Sequence, residues 1–157
     1  MTRSTAIRYA RDYFDSGAFQ ADLARRVAIP TESGRPESVP VLRRYLEHEM
    51  APAVERLGAA HQIVDNPVAG HGPFLVAHRH EANRLPTVLT YGHADVVPGD
   101  AGRWRPGLDP WRLIVEGDRW YGRGSADNKG QHTINLAALE HVLRARNGRL
   151  GFNRPDC

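Results

Sequence analysis

The stretch Tyr91-Gly-His-Ala-Asp95, together with the later stretch Gly122-Arg-Gly-Ser-Ala-Asp-Asn-Lys-Gly130, decides the interpretation of this chain. The first stretch ends an apolar run, Thr87-Val-Leu-Thr90, which predicts a buried strand. The second stretch follows a strand-like pair, Trp120-Tyr121, and precedes a helical pattern. Both stretches are therefore expected where strands end, which is where open α/β sheets collect their ligand-binding side chains.

Three side chains in these stretches have the chemistry of metal ligands: His93, Asp95 and Asp127. An imidazole and carboxylates suit a borderline-to-hard cation such as zinc. Each residue also has a simpler interpretation. His93 could form a single hydrogen bond at a strand end, and Asp127 could cap the following helix, since aspartate is a favoured N-cap. A His-x-Asp triplet on its own arises often by chance, but the three residues together predict a metal site.

The two motifs, with Trp104 and Asp109-Pro110-Trp111 between them, resemble the co-catalytic zinc aminoacylase/carboxypeptidase family. This family includes acetylornithine deacetylase, succinyl-diaminopimelate desuccinylase, carboxypeptidase G and the carnosine-type dipeptidases. The resemblance runs from about Phe14 to Asn153, which corresponds to roughly the first third of a family member. It implies an α/β zinc-peptidase-like fold, a mixed sheet with flanking helices, without the lid or dimerisation domain and the later strands.

The resemblance also implies the roles of individual residues. His93 would bind one zinc ion through a ring nitrogen, and Asp127 would bridge two zinc ions, one carboxylate oxygen to each. Asp95 projects to the same side as His93 in an extended segment. It would join the catalytic machinery as a carboxylate that holds the geometry and charge of the site. The expected cofactor is zinc, two ions per complete site, with other divalent metals as alternatives. Lys129 and Gly130 match the motif but receive no catalytic role.

The activity that the resemblance implies is hydrolysis of an amide or peptide bond in a small peptide or an N-acyl amino acid. The family's Glu-Glu pair, which supplies a general base and a further ligand, does not occur before Cys157. We therefore expect residues 1–150 to be the N-terminal part of a metallopeptidase catalytic domain that is inactive alone, and residues 151–157 to be a short non-native tail. The alternative is a non-catalytic relic or an interaction module. A homodimer is expected only of a full-length protein.

The composition predicts one cytoplasmic domain that binds neither nucleic acid nor membranes. A length of 157 residues suits a single domain with its own core. The only cysteine is Cys157, so no disulfide framework exists. No apolar run approaches the length of a membrane span. The 21 basic and 18 acidic residues are interleaved, without the basic stripe and aromatic residues typical of a nucleic-acid interface.

Periodicity predicts two amphipathic helices before the motifs and one after them. The first spans Gly17–Ile29, and the second spans Val39–Leu57, closed by Gly58 and kinked or divided by Pro52. The remaining elements are strands near His61–Val64 and Phe74–Ala77, a hairpin of residues 113–115 and 119–121, and a helix over Gln131–Arg146. The apolar face of the last helix comprises Ile134, Ala137, Ala138, Leu139, Val142 and Leu143. Exposed apolar surface is expected at the sheet edge, beside Val88 and Leu89.

The other histidines receive structural interpretations. His78 and His80 would share one face of an extended segment, but they precede a polar loop, so we expect a strand end that faces solvent. His132, in the first turn after Asp127, is interpreted as a surface residue or as a residue just outside the direct ligands. The structural set also includes His48, His61, His71 and His141.

The pair Gly122-x-Gly124 imitates a dinucleotide-binding fingerprint, because it lies between a strand and a helix. The third glycine position of that fingerprint is occupied by Asp127, whose carboxylate would repel a pyrophosphate at the helix N-terminus. The nucleotide-binding interpretation is therefore the weaker one.

Overall fold

A computed structural model describes residues 3–153, so residues 154–157, which carry most of the predicted tail, lie outside the described part of the chain. The helices are α1 (Arg3–Asp15), α2 (Ala18–Val27), α3 (Val39–Tyr45), α4 (Ala51–Arg56) and α5 (Lys129–Ala145). The strands are β1 (Ala60–Val64), β2 (Phe74–His78), β3 (Ile114–Glu116) and β4 (Arg119–Tyr121). Short 3-10 turns span Pro36–Ser38 and Ala101–Arg103, and a π-helical turn spans Leu46–Met50. None of the helices within residues 3–153 is long and apolar enough to cross a membrane.

The predicted helix over Val39–Leu57 is present but divided. Helix α3 leads into the π-helical turn, and α4 follows with Pro52 in its first turn. Proline has no N–H for the carbonyl four residues before it, and a π turn is one way for a helix to absorb such a break. Gly58, at φ 68°, ends the segment as predicted.

The sequence pattern did not predict helix α1, and the low burial of this helix explains why. None of its residues is fully buried, and the half-buried side chains contain no aliphatic group larger than alanine: Thr5, Ala6, Tyr9 and Tyr13. It is attached through aromatic and cation–π contacts instead. The Phe14 ring stacks at 5.8 Å on Trp120, and the Arg144 guanidinium lies 4.0 Å from the centre of the Tyr9 ring.

The strands form two antiparallel hairpins. β1 pairs with β2 in the register Ala60↔His78, and β3 pairs with β4 in the register Ile114↔Tyr121, which confirms the predicted hairpin. Helices α1, α2 and α4 pack against α5. The α/β class is confirmed, with small sheets and flanking helices.

The predicted buried strand over residues 87–91 is wrong. Thr87 forms only an isolated parallel bridge with Asn153, through a Val88 N–H to Asn153 O bond of 2.7 Å and an Asn153 N–H to Pro86 O bond of 2.8 Å. Leu89 and Tyr91 are 63% and 82% exposed. A strand needs a neighbour along its whole length, and here the pairing stops after one residue. The expected exposure of apolar side chains at this edge is observed.

The core lies between α4, the β1–β2 hairpin and the inner face of α5. Its buried members are Ala53, Val54, Leu57, Ala59, Leu136, Leu143 and Leu150. The predicted α5 face is partly wrong, because Ile134 is 56% exposed while Leu136 is buried in its place. Helix α5 ends as predicted, with Asn147 and Gly148 at positive φ and the Gly148 N–H bonded to Leu143 O at 2.8 Å.

Candidate metal centre

The three predicted site residues lie together. His93 Nε2 is 3.0 Å from Asp127 Oδ1, and His93 Nδ1 is 2.9 Å from the carbonyl oxygen of Asp95 and 3.2 Å from its Oδ1. The imidazole is thus held between two aspartates that come from different parts of the chain. Burial alone would lower the pKa of His93, but the hydrogen bond to Asp127 and the contacts with Asp95 outweigh it and raise the pKa.

Asp127 lies on the open side of this arrangement. Its side chain is 79% exposed. In sequence, Asp127 comes directly before Asn128, which is the N-cap residue of α5. The Asp127–Asn128 peptide bond is cis. Asp127 therefore does not cap the helix, because Asn128 occupies the N-cap position and no side-chain capping bond forms there.

The segment that carries His93 is fixed by hydrogen bonds from the loop after α2. The Thr31 hydroxyl donates to Ala94 O at 2.7 Å, and the Val96 N–H donates to Thr31 O at 2.8 Å. From the other side, the His93 N–H donates to Asn128 Oδ1 at 3.2 Å. Asn128 is buried. The sequence analysis did not identify it as a site residue, and the only signal for such a role was its position next to Asp127.

The glycines of both motifs allow these segments to pack closely. A Cβ at position 92 would lie 3.1 Å from Asn128 Oδ1, and a Cβ at position 130 would lie 2.0 Å from the backbone oxygen of Ser125. Gly124 is at φ +80°, and a Cβ there would lie 2.8 Å from Val96. The glycines of the second motif thus have a packing explanation that needs no bound nucleotide.

A layer of buried polar side chains lies beneath the site. The Tyr45 hydroxyl is 2.6 Å from His132 Nε2, with the two residues 0% and 6% exposed. Burial, aided by nearby Arg26 and Lys129, lowers the pKa of His132 to about 3, so the neutral imidazole shares a hydrogen bond with the tyrosine hydroxyl. The interpretation of His132 as a surface residue is therefore wrong.

Lys129 belongs to the same buried layer. Its ammonium group donates to Ile29 O at 2.6 Å and lies 5.2 Å from the centre of the Tyr45 ring. Burial lowers the pKa of Lys129 to about 7. The side chain is fully buried.

The remaining histidines lie apart from the centre. His78 and His80 are exposed at and just beyond the end of β2, as expected. His141 lies 5.3 Å from the Tyr13 ring and has a pKa lowered by burial. His61 Nδ1 approaches Glu55 Oε1 at 3.8 Å, an acidic neighbour that the sequence did not indicate.

The donor atoms fit part of a metal site. An imidazole nitrogen and a carboxylate oxygen converge, and the other imidazole nitrogen is held by Asp95, an arrangement typical of metal-binding histidines. Within residues 3–153, however, no group of three or more His, Cys, Asp or Glu side chains is placed to hold an ion. The described residues therefore offer two direct ligands, where a zinc site usually has three or four protein ligands.

Comparison with known proteins identifies the family. The model of peptidase family M20/M25/M40 matches residues 89–152, which contain both motifs. This segment is part of an M20 family peptidase domain. The resemblance predicted from the motifs is thereby confirmed, and with it the hydrolase class of the family.

Individual relatives support the same conclusion. The chain is 34% identical over 90 residues to a cysteinylglycine-S-conjugate dipeptidase of Corynebacterium striatum, covering 57% of this chain and 19% of the relative. It is 44% identical over 55 residues to an acetylornithine deacetylase of Aliivibrio salmonicida, covering 35% of this chain and 14% of the relative. The crystal structure of human carnosine dipeptidase 1 superposes with a TM-score of 0.78 at 31% identity, covering 96% of this chain and 33% of that one. The chain thus spans a third or less of the length of these M20 relatives.

Proposed function

We propose that this M20 chain contributes to zinc-dependent hydrolysis of an amide or peptide bond in a dipeptide or an N-acyl amino acid. In this proposal His93 and Asp127 bind zinc, and Asp95 holds His93 in place. The names of the relatives, two dipeptidases and a deacetylase, support this substrate range. The observation that carries the proposal is the 3.0 Å approach of His93 Nε2 to Asp127 Oδ1.

Asp95 prepares His93 for this role. Its carbonyl oxygen can only accept, so it keeps a proton on Nδ1, and the Nε2 lone pair of the neutral ring would then be free to bind a metal ion. Its carboxylate, 3.2 Å from the same nitrogen, adds negative charge that favours a cation nearby.

Asp127 directs one carboxylate oxygen toward His93, and its other oxygen does not contact His93. Only its Oδ1 contacts His93, and the exposed side chain leaves Oδ2 accessible to a second cation. Zinc bound there would supply a water that is acidic near neutral pH and would polarise the scissile carbonyl.

Metal binding is the direct test of these roles. We expect titration calorimetry with zinc to show weak, readily chelated binding, because only two direct ligands are present. Asp127→Asn and His93→Ala should each weaken it at least about tenfold. Asp118→Asn, an exposed aspartate in the β3–β4 turn, is the matched control and should change nothing. Equal binding by all four proteins would refute the assignment.

Hydrolysis is tested separately. Since residues 3–153 contain no group of three or more His, Cys, Asp or Glu side chains that could hold a metal ion, we expect no turnover of dipeptides or N-acyl amino acids by this chain alone. Zinc-dependent release of an amino acid, abolished by His93→Ala, would contradict that expectation. A chain that neither binds zinc nor turns over would support the non-catalytic alternative.

A further inference from the structure

The buried pair formed by Tyr45 and His132 has no part in the function proposed above. It joins the end of α3 to the first turns of α5, across 87 residues of sequence, with a hydroxyl-to-imidazole distance of 2.6 Å. Burying two polar side chains is costly unless they bond to each other, and apolar residues could fill the same space. What a directional bond provides here, and an apolar contact would not, is a fixed orientation of the His132 ring.

That orientation matters because His132 contacts the segments that carry both candidate ligands. A Cβ at position 92 would lie 3.3 Å from His132 Cβ and 3.8 Å from its Nδ1, so Gly92, next to His93, packs against the His132 side chain with no room for a side chain of its own. The His132 N–H also donates to Asn128 O at 3.0 Å. Asn128 in turn accepts the His93 N–H and is covalently joined to Asp127.

We propose that Tyr45 and His132 are positioning residues that hold Gly92, His93 and Asn128 in the arrangement that brings His93 Nε2 to Asp127. The pair touches neither a substrate nor a metal and acts through the segments it supports. The part of this proposal that concerns metal rests on the proposed function, whereas the part that concerns local order does not.

The chain offers a closely matched control. The Tyr13 hydroxyl donates to Asp22 Oδ2, also at 2.6 Å, and this bond joins α1 to α2 without contact to residues 89–97. Tyr45→Phe and Tyr13→Phe therefore remove the same atom, a tyrosine hydroxyl that bonds a side chain on another helix. Only the first change should affect the candidate centre.

Two measurements on the full chain test the proposal. Hydrogen exchange followed by mass spectrometry should show residues 89–97 exchanging about three- to tenfold faster in Tyr45→Phe, and unchanged in Tyr13→Phe. Zinc titration should show affinity falling by about the same factor in Tyr45→Phe only. Exchange at residues 89–97 that is the same in both variants would overturn the proposal.

A second variant separates positioning from a general loss of stability. His132→Gln should reproduce the faster exchange, and the double variant with Tyr45→Phe should add little to either single change, because the two residues act as a unit. Fully additive effects would overturn the idea of a coupled pair. Faster local exchange in a protein that binds no zinc would refute the proposed metal function while leaving the positioning role intact.

Discussion

At the scale of single residues, Gly130 leaves no room for any other side chain. A Cβ there would lie 2.0 Å from the backbone oxygen of Ser125 and 3.0 Å from its carbonyl carbon, and backbone atoms cannot swing aside as a flexible side chain would. We expect Gly130→Ala to lower the free energy of unfolding by about 3 kcal/mol, measured by urea denaturation.

Gly102→Ala is the control for this prediction. An added Cβ at position 102 meets nothing within 4 Å. Its free energy of unfolding should match that of the wild type within about 0.5 kcal/mol. If Gly130→Ala were as stable as Gly102→Ala, the close packing of residues 124–130 described above would be wrong.

The sequence identified the candidate ligands of the site better than it identified the buried residues that hold them in place. His93, Asp95 and Asp127 were predicted as a group because histidine and aspartate carry recognisable ligand chemistry. Asn128 and Tyr45 have ordinary side chains, and their importance comes from burial and from a partner distant in sequence. His132, interpreted as a surface residue or as one just outside the direct ligands, contacts Tyr45 across 87 positions, and no local pattern reveals such a contact.

At the scale of elements, Glu81 joins the loop after β2 to the segment that follows α5. Its carboxylate accepts the N–H groups of Leu150 at 2.6 Å and Gly151 at 3.0 Å, and the Nε–H of Arg79 at 3.3 Å. Burial alone would raise the pKa of Glu81, but these donors outweigh it and lower the pKa. The ionised carboxylate therefore stabilises the fold.

We expect Glu81→Gln to lower the free energy of unfolding by about 1–2 kcal/mol near neutral pH, because an amide oxygen accepts less strongly than a carboxylate. A lowered pKa means that the stabilisation is complete above the ordinary glutamate pKa and is lost as pH falls through the lowered value in the folded state. The difference between the two proteins should therefore shrink as pH falls below the ordinary glutamate pKa, as followed by urea unfolding across pH.

Glu37→Gln is the control for this pH series, since Glu37 is exposed in the first 3-10 turn. Its stability should follow that of the wild type at every pH. A Glu81→Gln difference that stayed constant down to low pH would show that the carboxylate charge plays no part in joining the two segments.

Helices α2 to α5 and strands β1 to β4 were predicted, and the two errors, the missed helix α1 and the wrong strand over residues 87–91, have physical reasons. Helices α2 and α5 bury one face each, so their apolar period is visible in the sequence. Helix α1 buries no residue completely and gave no such signal. The run Thr87-Val-Leu-Thr90 has the composition of a strand, but whether a strand forms depends on a neighbouring segment, and that pairing cannot be deduced from the run itself.

At the scale of the whole molecule, an exposed apolar edge comprises Val88, Leu89, Tyr91 and Val97. These side chains are 39%, 63%, 82% and 61% exposed, and they lie on both sides of His93 in sequence. Beyond Val88, the described residues form no strand along this edge, apart from the single bridge of Val96 with Glu32. Apolar surface beside unpaired backbone favours association between molecules.

We therefore expect concentration-dependent self-association that Leu89→Arg reduces. Because Leu89 is largely exposed, the substitution should leave the free energy of unfolding within about 0.5 kcal/mol of the wild type. It places a charge in the middle of the apolar edge, so light scattering and the binding of an apolar dye should both fall. Ile134→Arg is the control, since Ile134 is 56% exposed but stands on α5, away from residues 88–97 in sequence. If the two variants associated to the same extent, the association would depend on net charge and not on this edge.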